Sequence, residues 1–155
     1  RYLVLCTGNR CRSQMAHGIL QYLHPSAEIC SAGVRPASEV HPLAVQVMAE
    51  IGIDITDHYP KSVVQYVEQS WDFVITVCGG AKENCPVFTG KVDNRLHIGF
   101  DDPDAFVGSE EDVKEEFRRV RDEIYEAISK LQMNPLTRNS IDLKDMKHYI
   151  VGIGD

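Results

Sequence analysis

The stretch of sequence that decides the fold is Tyr2-Leu3-Val4-Leu5-Cys6-Thr7-Gly8-Asn9-Arg10-Cys11-Arg12-Ser13. Its first residues form a short apolar run typical of a buried strand, and Thr7-Gly8-Asn9 interrupts that run. After Arg12, apolar side chains recur at helical spacing, at Met15, Ile19, Leu20 and Leu23. The stretch therefore predicts a strand, a glycine-containing loop and a helix in direct succession.

The alternation of strands and helices continues along the chain. Trp71–Val77 is the strongest strand candidate, since it is β-branched and aromatic almost throughout, and its apolarity favours a buried parallel strand. Further strands are predicted at Ala27–Gly33 and Arg95–Phe100, and helices at His41–Gly52, around Val63, Val64 and Val67, and from a cap at Ser109 to Leu131. This rhythm predicts an α/β three-layer sandwich with a four-stranded parallel sheet.

Composition and charge restrict the class of protein. The 155 residues suit one compact domain, and a net charge of -7 without any Lys/Arg stripe argues against nucleic acid and anionic membranes as partners. No apolar run approaches the roughly 18 residues of a membrane span, and the first strand is too short for a signal-peptide core. We therefore expect a cytoplasmic protein with no nucleic-acid and no membrane partner.

The end of the chain differs from the rest. After Met133 the sequence turns polar at Asn134-Pro135, and the closing segment His148–Asp155 has no place in the core outlined above. We expect a domain over residues 1–133 and a C-terminal extension of unknown role over residues 134–155.

The loop after the first strand has the composition of an oxyanion site. A strand that runs through a glycine-bearing loop into a helix directs backbone N–H groups to one point at the carboxyl edge of the sheet. The helix N-terminus adds partial positive charge, and the planar guanidinium of Arg12 matches two oxygens of a tetrahedral anion. We therefore predict that the anion-binding loop comprises Thr7, Gly8, Asn9, Arg10, Cys11, Arg12 and Ser13.

Cys6 is the predicted nucleophile at this loop. The groups that hold an anion also stabilise a thiolate, and such settings lower a cysteine pKa from about 8.5 to about 3.5–7.5. Ser13 can donate a hydrogen bond to the sulfur and help it leave in a second step. The alternative is that Cys6 is a buried strand cysteine without chemistry.

The spacing of Cys6 and Arg12-Ser13, with Gly8-Asn9 inside the loop and Asp102-Pro103 far downstream, resembles the low-molecular-weight protein tyrosine phosphatase superfamily. The resemblance implies that fold, and it implies that Asp102 is the general acid and base for the leaving group. In physical terms Asp102 is a carboxylate on a loop stiffened by proline. A turn or helix-capping aspartate is the alternative, and Asp101 is the weaker candidate for the role.

The remaining cysteines separate a hydrolase from a reductase. The count of five is odd, which argues against a disulfide-stapled secreted scaffold, and no spacing suits zinc, so we expect no metal. Cys78 ends the strongest strand, at the same sheet edge as Cys6 if the strands are parallel, and Cys85 follows with six residues between the two. Cys11 and Cys30 are expected to be structural, and packed strand and helix cysteines remain the alternative for Cys78 and Cys85 as well.

Cys78 and Cys85, together with His97–Pro103 and Phe117–Glu123, resemble the thioredoxin-coupled arsenate reductases. That resemblance implies that Cys6 attacks arsenate, that Cys78 then attacks Cys6 as arsenite leaves, and that Cys85 moves the disulfide to Cys78–Cys85. Thioredoxin would reduce this disulfide as the electron donor. No cofactor is implied.

Two rival functions stay open from the sequence. One is a protein tyrosine phosphatase, which needs only Cys6 and binds the same kind of tetrahedral anion. The other is a non-enzymatic oxyanion or redox sensor that works through the C-terminal extension.

Some reductases of the resembled family bind potassium beside the anion loop through carboxylates. The matching positions here hold His17 and Lys61. Because a lysine ammonium repels a metal cation, we predict no potassium requirement.

Overall fold

The computed structural model describes residues 1–77 and 87–131 of the chain. Four strands, β1 (Tyr2–Cys6), β2 (Ile29–Gly33), β3 (Trp71–Thr76) and β4 (Val92–His97), form one sheet. The strand order is β2-β1-β3-β4, and every neighbouring pair is parallel. The predicted α/β fold with a four-stranded parallel sheet is confirmed.

Within the described residues, three α-helices accompany the sheet: α1 (Arg12–Leu23), α2 (Pro42–Glu50) and α3 (Glu110–Lys130). The helix α3 starts at the predicted cap, where the Ser109 hydroxyl oxygen accepts a hydrogen bond from the Asp112 amide at 3.1 Å. The helix α2 starts with Pro42 in its first turn, and Gly52 follows its end with a φ of 79°, a conformation that suits glycine.

Successive side chains of β1 point to opposite faces of the sheet and so contribute to two hydrophobic cores. Val4 packs with apolar residues of all three helices, including Met15, Val47 and Phe117. Leu3 and Leu5 point to the opposite face and join a smaller cluster of Ala32, Val63, Trp71, Val74 and Phe88. The sheet is therefore buried on both faces, as a parallel sheet requires.

Several predicted boundaries were wrong. The strand predicted at Arg95–Phe100 lies at Val92–His97. The strand β4 is at the edge of the sheet, and partly buried and exposed residues alternate along its first four positions, so this part has no continuous apolar pattern. The helical pattern around Val63 forms only a short 3-10 helix, Val63–Tyr66. The strand β2 starts at Ile29 rather than Ala27, and β3 ends at Thr76.

Candidate active site

The loop between β1 and α1 lies at the carboxyl edge of the sheet. Three of its carbonyl groups accept backbone hydrogen bonds from the segment that follows β2: Thr7 from Arg35 at 2.9 Å, Gly8 from Ala37 at 2.9 Å and Arg10 from His41 at 3.1 Å. No described peptide bond is cis, and in a trans peptide the N–H points opposite to the C=O. The amides that follow these carbonyls therefore point away from that segment, and an anion held by the loop can accept hydrogen bonds from them.

Gly33 at the end of β2 is a residue that the sequence interpretation undervalued. A β-carbon at this position would lie 2.6 Å from the Thr7 carbonyl oxygen and 2.9 Å from the Asn9 nitrogen. Only glycine lets the loop backbone approach β2 this closely. The signal was present as the glycine that ends the predicted strand, but its partner lies far away in sequence.

Asn9 holds the loop in shape. Its φ is 52°, in the left-handed region that asparagine tolerates, and its side chain is fully buried. Its Nδ2 donates to the Ser13 hydroxyl oxygen at 2.8 Å, and its Oδ1 accepts from the Lys61 amide at 2.9 Å. Its carbonyl accepts from Gln14 Nε2 at 3.0 Å. Hydrogen bonds to the side-chain nitrogen, the side-chain oxygen and the backbone carbonyl of Asn9 thus stabilise the conformation of the loop.

The two loop cysteines differ in their surroundings. Cys6 ends β1, is 3% exposed and pairs in register with Gly33. Cys11 packs in the larger core, and burial raises the pKa of its thiol to about 12. Cys11 is therefore a neutral thiol near neutral pH, in line with the structural role expected for it.

The guanidinium of Arg12 is held in place but not fully satisfied. Its Nη1 donates to the Phe100 carbonyl at 3.0 Å, and its Nη2 lies 3.5 Å from Asp102 Oδ2. Its Nε is buried, and no hydrogen-bond acceptor meets it among the described residues. A buried donor of this kind calls for a partner, and an anion in the loop would supply one.

Asp102 caps a short helix and also contacts the arginine of the anion loop. Its Oδ1 accepts a hydrogen bond from the Asp104 amide at 3.0 Å and caps the short 3-10 helix Pro103–Ala105. Its other oxygen faces Arg12 at the anion loop. Asp101 instead accepts a hydrogen bond from Arg119 of α3 at 2.9 Å, so its carboxylate is engaged elsewhere.

Arg10 and Asp104 form an ion pair that joins the anion loop to the loop of Asp102. The two residues are 94 positions apart, so no local pattern in the sequence could have shown that they meet. His41 lies beside them, with its Nε2 3.4 Å from Asp104 Oδ1.

Cys78 and Cys85 lie outside the described residues. The chain is described as far as Val77, whose amide donates to the Leu5 carbonyl at 3.0 Å beside the end of β1. Cys30 is described, half-buried on β2, and burial raises the pKa of its thiol.

The positions expected to exclude potassium lie beside the loop. The Lys61 ammonium donates to the Tyr59 carbonyl at 2.7 Å, while its amide contacts Asn9. His17 shares a hydrogen bond of 2.9 Å with the Ser31 hydroxyl, and its ring lies 4.4 Å from that of His58. Burial, followed by the charge of His58, lowers the pKa of His17 to about 3.

Across residues 1–77 and 87–131, no group of three or more His, Cys, Asp or Glu side chains is arranged to hold a metal ion. Within the same ranges, no helix has the length and apolarity needed to cross a membrane.

A parallel four-stranded sheet that carries a cysteine, an amide-lined loop and a buried arginine at its carboxyl edge defines a phosphatase-type α/β protein. The chain belongs to the low molecular weight phosphotyrosine protein phosphatase family, whose model matches residues 1–142. Its curated relatives include the arsenate reductase of Halalkalibacterium halodurans, 47% identical over 121 residues that cover 77% of this chain and 86% of that protein.

Solved structures agree with this placement. A structure of an arsenate reductase in the phosphate-binding state matches with a TM-score of 0.65 and 28% identity, covering 83% of this chain and 92% of that chain. The thioredoxin-dependent arsenate reductase of Corynebacterium glutamicum matches with a TM-score of 0.54 and 31% identity, covering 84% of this chain and 62% of that chain.

Proposed function

We propose that this protein reduces arsenate to arsenite through a cysteine relay and that thioredoxin regenerates it. The observation that carries the proposal is the ion pair of Arg12 with Asp102 beside the loop that follows Cys6, at the sheet edge that Val77 also reaches. An arsenate reductase at 47% identity supports arsenate as the substrate. A structural relative named as thioredoxin-dependent supports thioredoxin as the electron donor.

The first step uses the anion loop. Arsenate is held by the loop amides of Thr7–Ser13 and by Arg12, whose Nε has no acceptor among the described residues. The Cys6 thiolate attacks arsenic, and Asp102 gives a proton to the departing oxygen, which leaves as water. The product is a covalent bond between arsenic and the Cys6 sulfur.

The second step transfers two electrons. Cys78 follows directly after Val77, which is hydrogen-bonded beside β1, so chain connectivity favours its approach to Cys6. The Cys78 thiolate attacks the Cys6 sulfur, the sulfur–arsenic bond breaks, and the bonding electron pair stays on arsenic. Arsenite leaves, and a Cys6–Cys78 disulfide remains.

The third step moves the disulfide away from Cys6, to a pair of cysteines that thioredoxin reduces. Cys85 attacks Cys78, frees the Cys6 thiolate and forms a Cys78–Cys85 disulfide, which the dithiol of thioredoxin reduces. Free thiols at Cys11 and Cys30 suit a reducing compartment, so we place the activity in the cytoplasm.

The relay is tested by mapping disulfides after one exposure of the reduced protein to arsenate. Wild type should hold Cys78–Cys85, whereas Cys85→Ser should release one equivalent of arsenite and hold Cys6–Cys78. Serine at any of the three positions should abolish repeated turnover with thioredoxin. Steady activity in any of these variants would contradict the relay, and Cys30→Ser is the matched control, since it should keep full turnover.

A second candidate is hydrolysis of phosphotyrosine, favoured by the family to which the chain belongs. The same loop accepts phosphate, and in the second step of hydrolysis water attacks phosphorus, so that the Cys6 thiolate leaves and inorganic phosphate is released. Rapid hydrolysis of a phenyl phosphate by Cys78→Ser, with no arsenite formed by wild type, would establish the phosphatase instead.

A further inference from the structure

Arg10 is part of the anion loop, but its side chain contacts a residue on another loop. Its Nη1 makes an ion pair with Asp104 Oδ2. The Arg10 and Asp104 side chains are 31% and 38% exposed, so the pair lies at the rim of the site rather than in its interior.

His41 holds the same carboxylate from a second side. Its Nδ1 accepts a hydrogen bond from the Leu43 amide at 3.0 Å, so the ring proton of the neutral imidazole lies on Nε2. That Nε2 is 3.4 Å from Asp104 Oδ1, and the His41 amide donates to the Arg10 carbonyl at 3.1 Å. The ring also packs on Phe117 of α3, with 4.6 Å between centroids. Asp104 is thus held between the anion loop and the start of α2.

Because Asp104 is held in place, its backbone also restricts the position of the Asp102 side chain. Its backbone amide donates to Asp102 Oδ1 at 3.0 Å, and this bond leaves Asp102 Oδ2 facing Arg12 at 3.5 Å. Two side-chain ion pairs therefore join the loops, Arg10 with Asp104 at the rim and Arg12 with Asp102 inside the site.

We propose that Arg10 and Asp104 are a positioning pair that holds the Asp102 carboxyl over the anion loop, and that the Arg10 side chain is not itself a ligand of the anion. The proposal rests on the proposed function for its kinetic test, because Asp102 acts there as the proton donor. The Arg10 guanidinium is engaged by Asp104, which leaves Arg12 as the arginine directed at the anion.

The rival explanation is that Arg10 raises the local positive potential and that Asp104 lowers it. The two explanations predict different effects of the two substitutions: opposite changes in anion affinity in one case, and the same loss of rate in the other. If the charges act independently, Arg10→Gln weakens anion binding and Asp104→Asn strengthens it. If the two residues act as a pair, both substitutions slow the chemical step, and the double variant is no slower than either single one.

The first experiment is a double-mutant cycle with Arg10→Gln, Asp104→Asn and the double variant. Arsenite release is measured in a single turnover, and phosphate affinity is measured by calorimetry. We expect each single variant and the double variant to release arsenite about threefold more slowly, as suits a half-exposed ion pair, with phosphate affinity unchanged within about twofold. Glu115→Gln, which breaks an exposed pair with Arg118 on α3, is the matched control and should match wild type.

Opposite effects of the two single variants, or additive losses in the double variant, would overturn the positioning pair. So would a loss of phosphate affinity in Arg10→Gln of tenfold or more, because Arg10 would then be an anion ligand.

A second measurement does not depend on activity. Hydrogen exchange of the Asp104 amide, followed by NMR, reports whether Asp102 is still held at its Oδ1. We expect exchange to be about threefold faster than in wild type in both single variants. In the double variant it should be no faster than in either single variant. If wild type forms no arsenite but the exchange rates show this coupling, the proposed function fails and the positioning pair stands. If wild type reduces arsenate but the exchange rates are unchanged, the positioning pair is overturned and the reductase stands.

Discussion

Asp102 faces Arg12 with one carboxylate oxygen, at 3.5 Å, while its other oxygen caps the 3-10 helix that follows it. The cap fixes the carboxyl group, and the arginine directs it to the anion loop. A residue that looks like an ordinary capping aspartate is thereby held beside Arg12 of the anion loop.

Replacement of the Asp102 carboxyl group by an amide should slow the reaction with little effect on structure. Asp102→Asn keeps an oxygen that accepts from the Asp104 amide but carries no acidic proton, so we expect arsenite release to fall by about 10²–10³-fold. Phosphate affinity should stay within a few-fold of wild type. The matched control is Asp101→Asn, whose carboxylate is engaged by Arg119 and which should retain activity. A comparable loss in both variants would mean that Asp102 has no special role.

The left-handed conformation of Asn9 should be visible in stability. Asn9→Ala and Asn9→Gly lose the same side-chain hydrogen bonds. Only alanine is also strained by the left-handed backbone conformation, with its φ of 52°, which glycine adopts without strain. We expect Asn9→Ala to lower the free energy of unfolding by about 3 kcal/mol, and Asn9→Gly by about 1 kcal/mol less, in urea titrations at pH 7. Equal losses would show that the loop relaxes out of this conformation.

Cys11 should resist alkylation in the folded protein. Its thiol is buried, and its pKa of about 12 leaves almost no thiolate at pH 8. We expect iodoacetamide to leave Cys11 unmodified for hours at pH 8 and to modify it within minutes in urea, as measured by mass spectrometry of tryptic peptides. Rapid labelling of Cys11 in the native protein would place it at the open side of the loop.

Acid should destabilise the protein through His17. Its pKa is about 3 in the folded state against 6.5 in the unfolded chain, so the unfolded state takes up a proton that the folded state refuses. The stabilisation from neutral His17 is therefore present above pH 6.5 and is lost as the pH falls toward 3. Between pH 6.5 and 5 this amounts to at most about 2 kcal/mol. His17→Gln should flatten the stability curve in that range, and parallel curves for the two proteins would rule the effect out.

Potassium should have no effect on this protein. The Lys61 ammonium lies beside the anion loop, next to the Tyr59 carbonyl, where it repels a second cation. Exchange of sodium for potassium at constant ionic strength should leave both the melting temperature and the rate of arsenate reduction unchanged. A clear rise in either with potassium would contradict this prediction.

The sequence predicted those parts of the fold that depend on neighbouring residues. The strand, loop and helix around Cys6, the Ser109 cap and the strong strand at Trp71 all follow from local periodicity and capping. The edge strand β4 was placed three residues too late, because its exposed half carries polar side chains such as Asp93 and Asn94. Periodicity reports burial, and an edge strand is buried only in part.

The same division holds at the candidate site. Cys6, Arg12 and the loop between them follow from one contiguous stretch, since a strand end, a glycine-bearing loop and a helix start are encoded by adjacent residues. The resemblance favoured Asp102 over Asp101, but only the tertiary structure decided that Asp102 faces Arg12 and that Gly33 admits the loop backbone. The same is true of the ion pair between Arg10 and Asp104. These relationships join residues that are distant in the chain, and they exist because the parallel strands end at one edge of the sheet and bring their loops together.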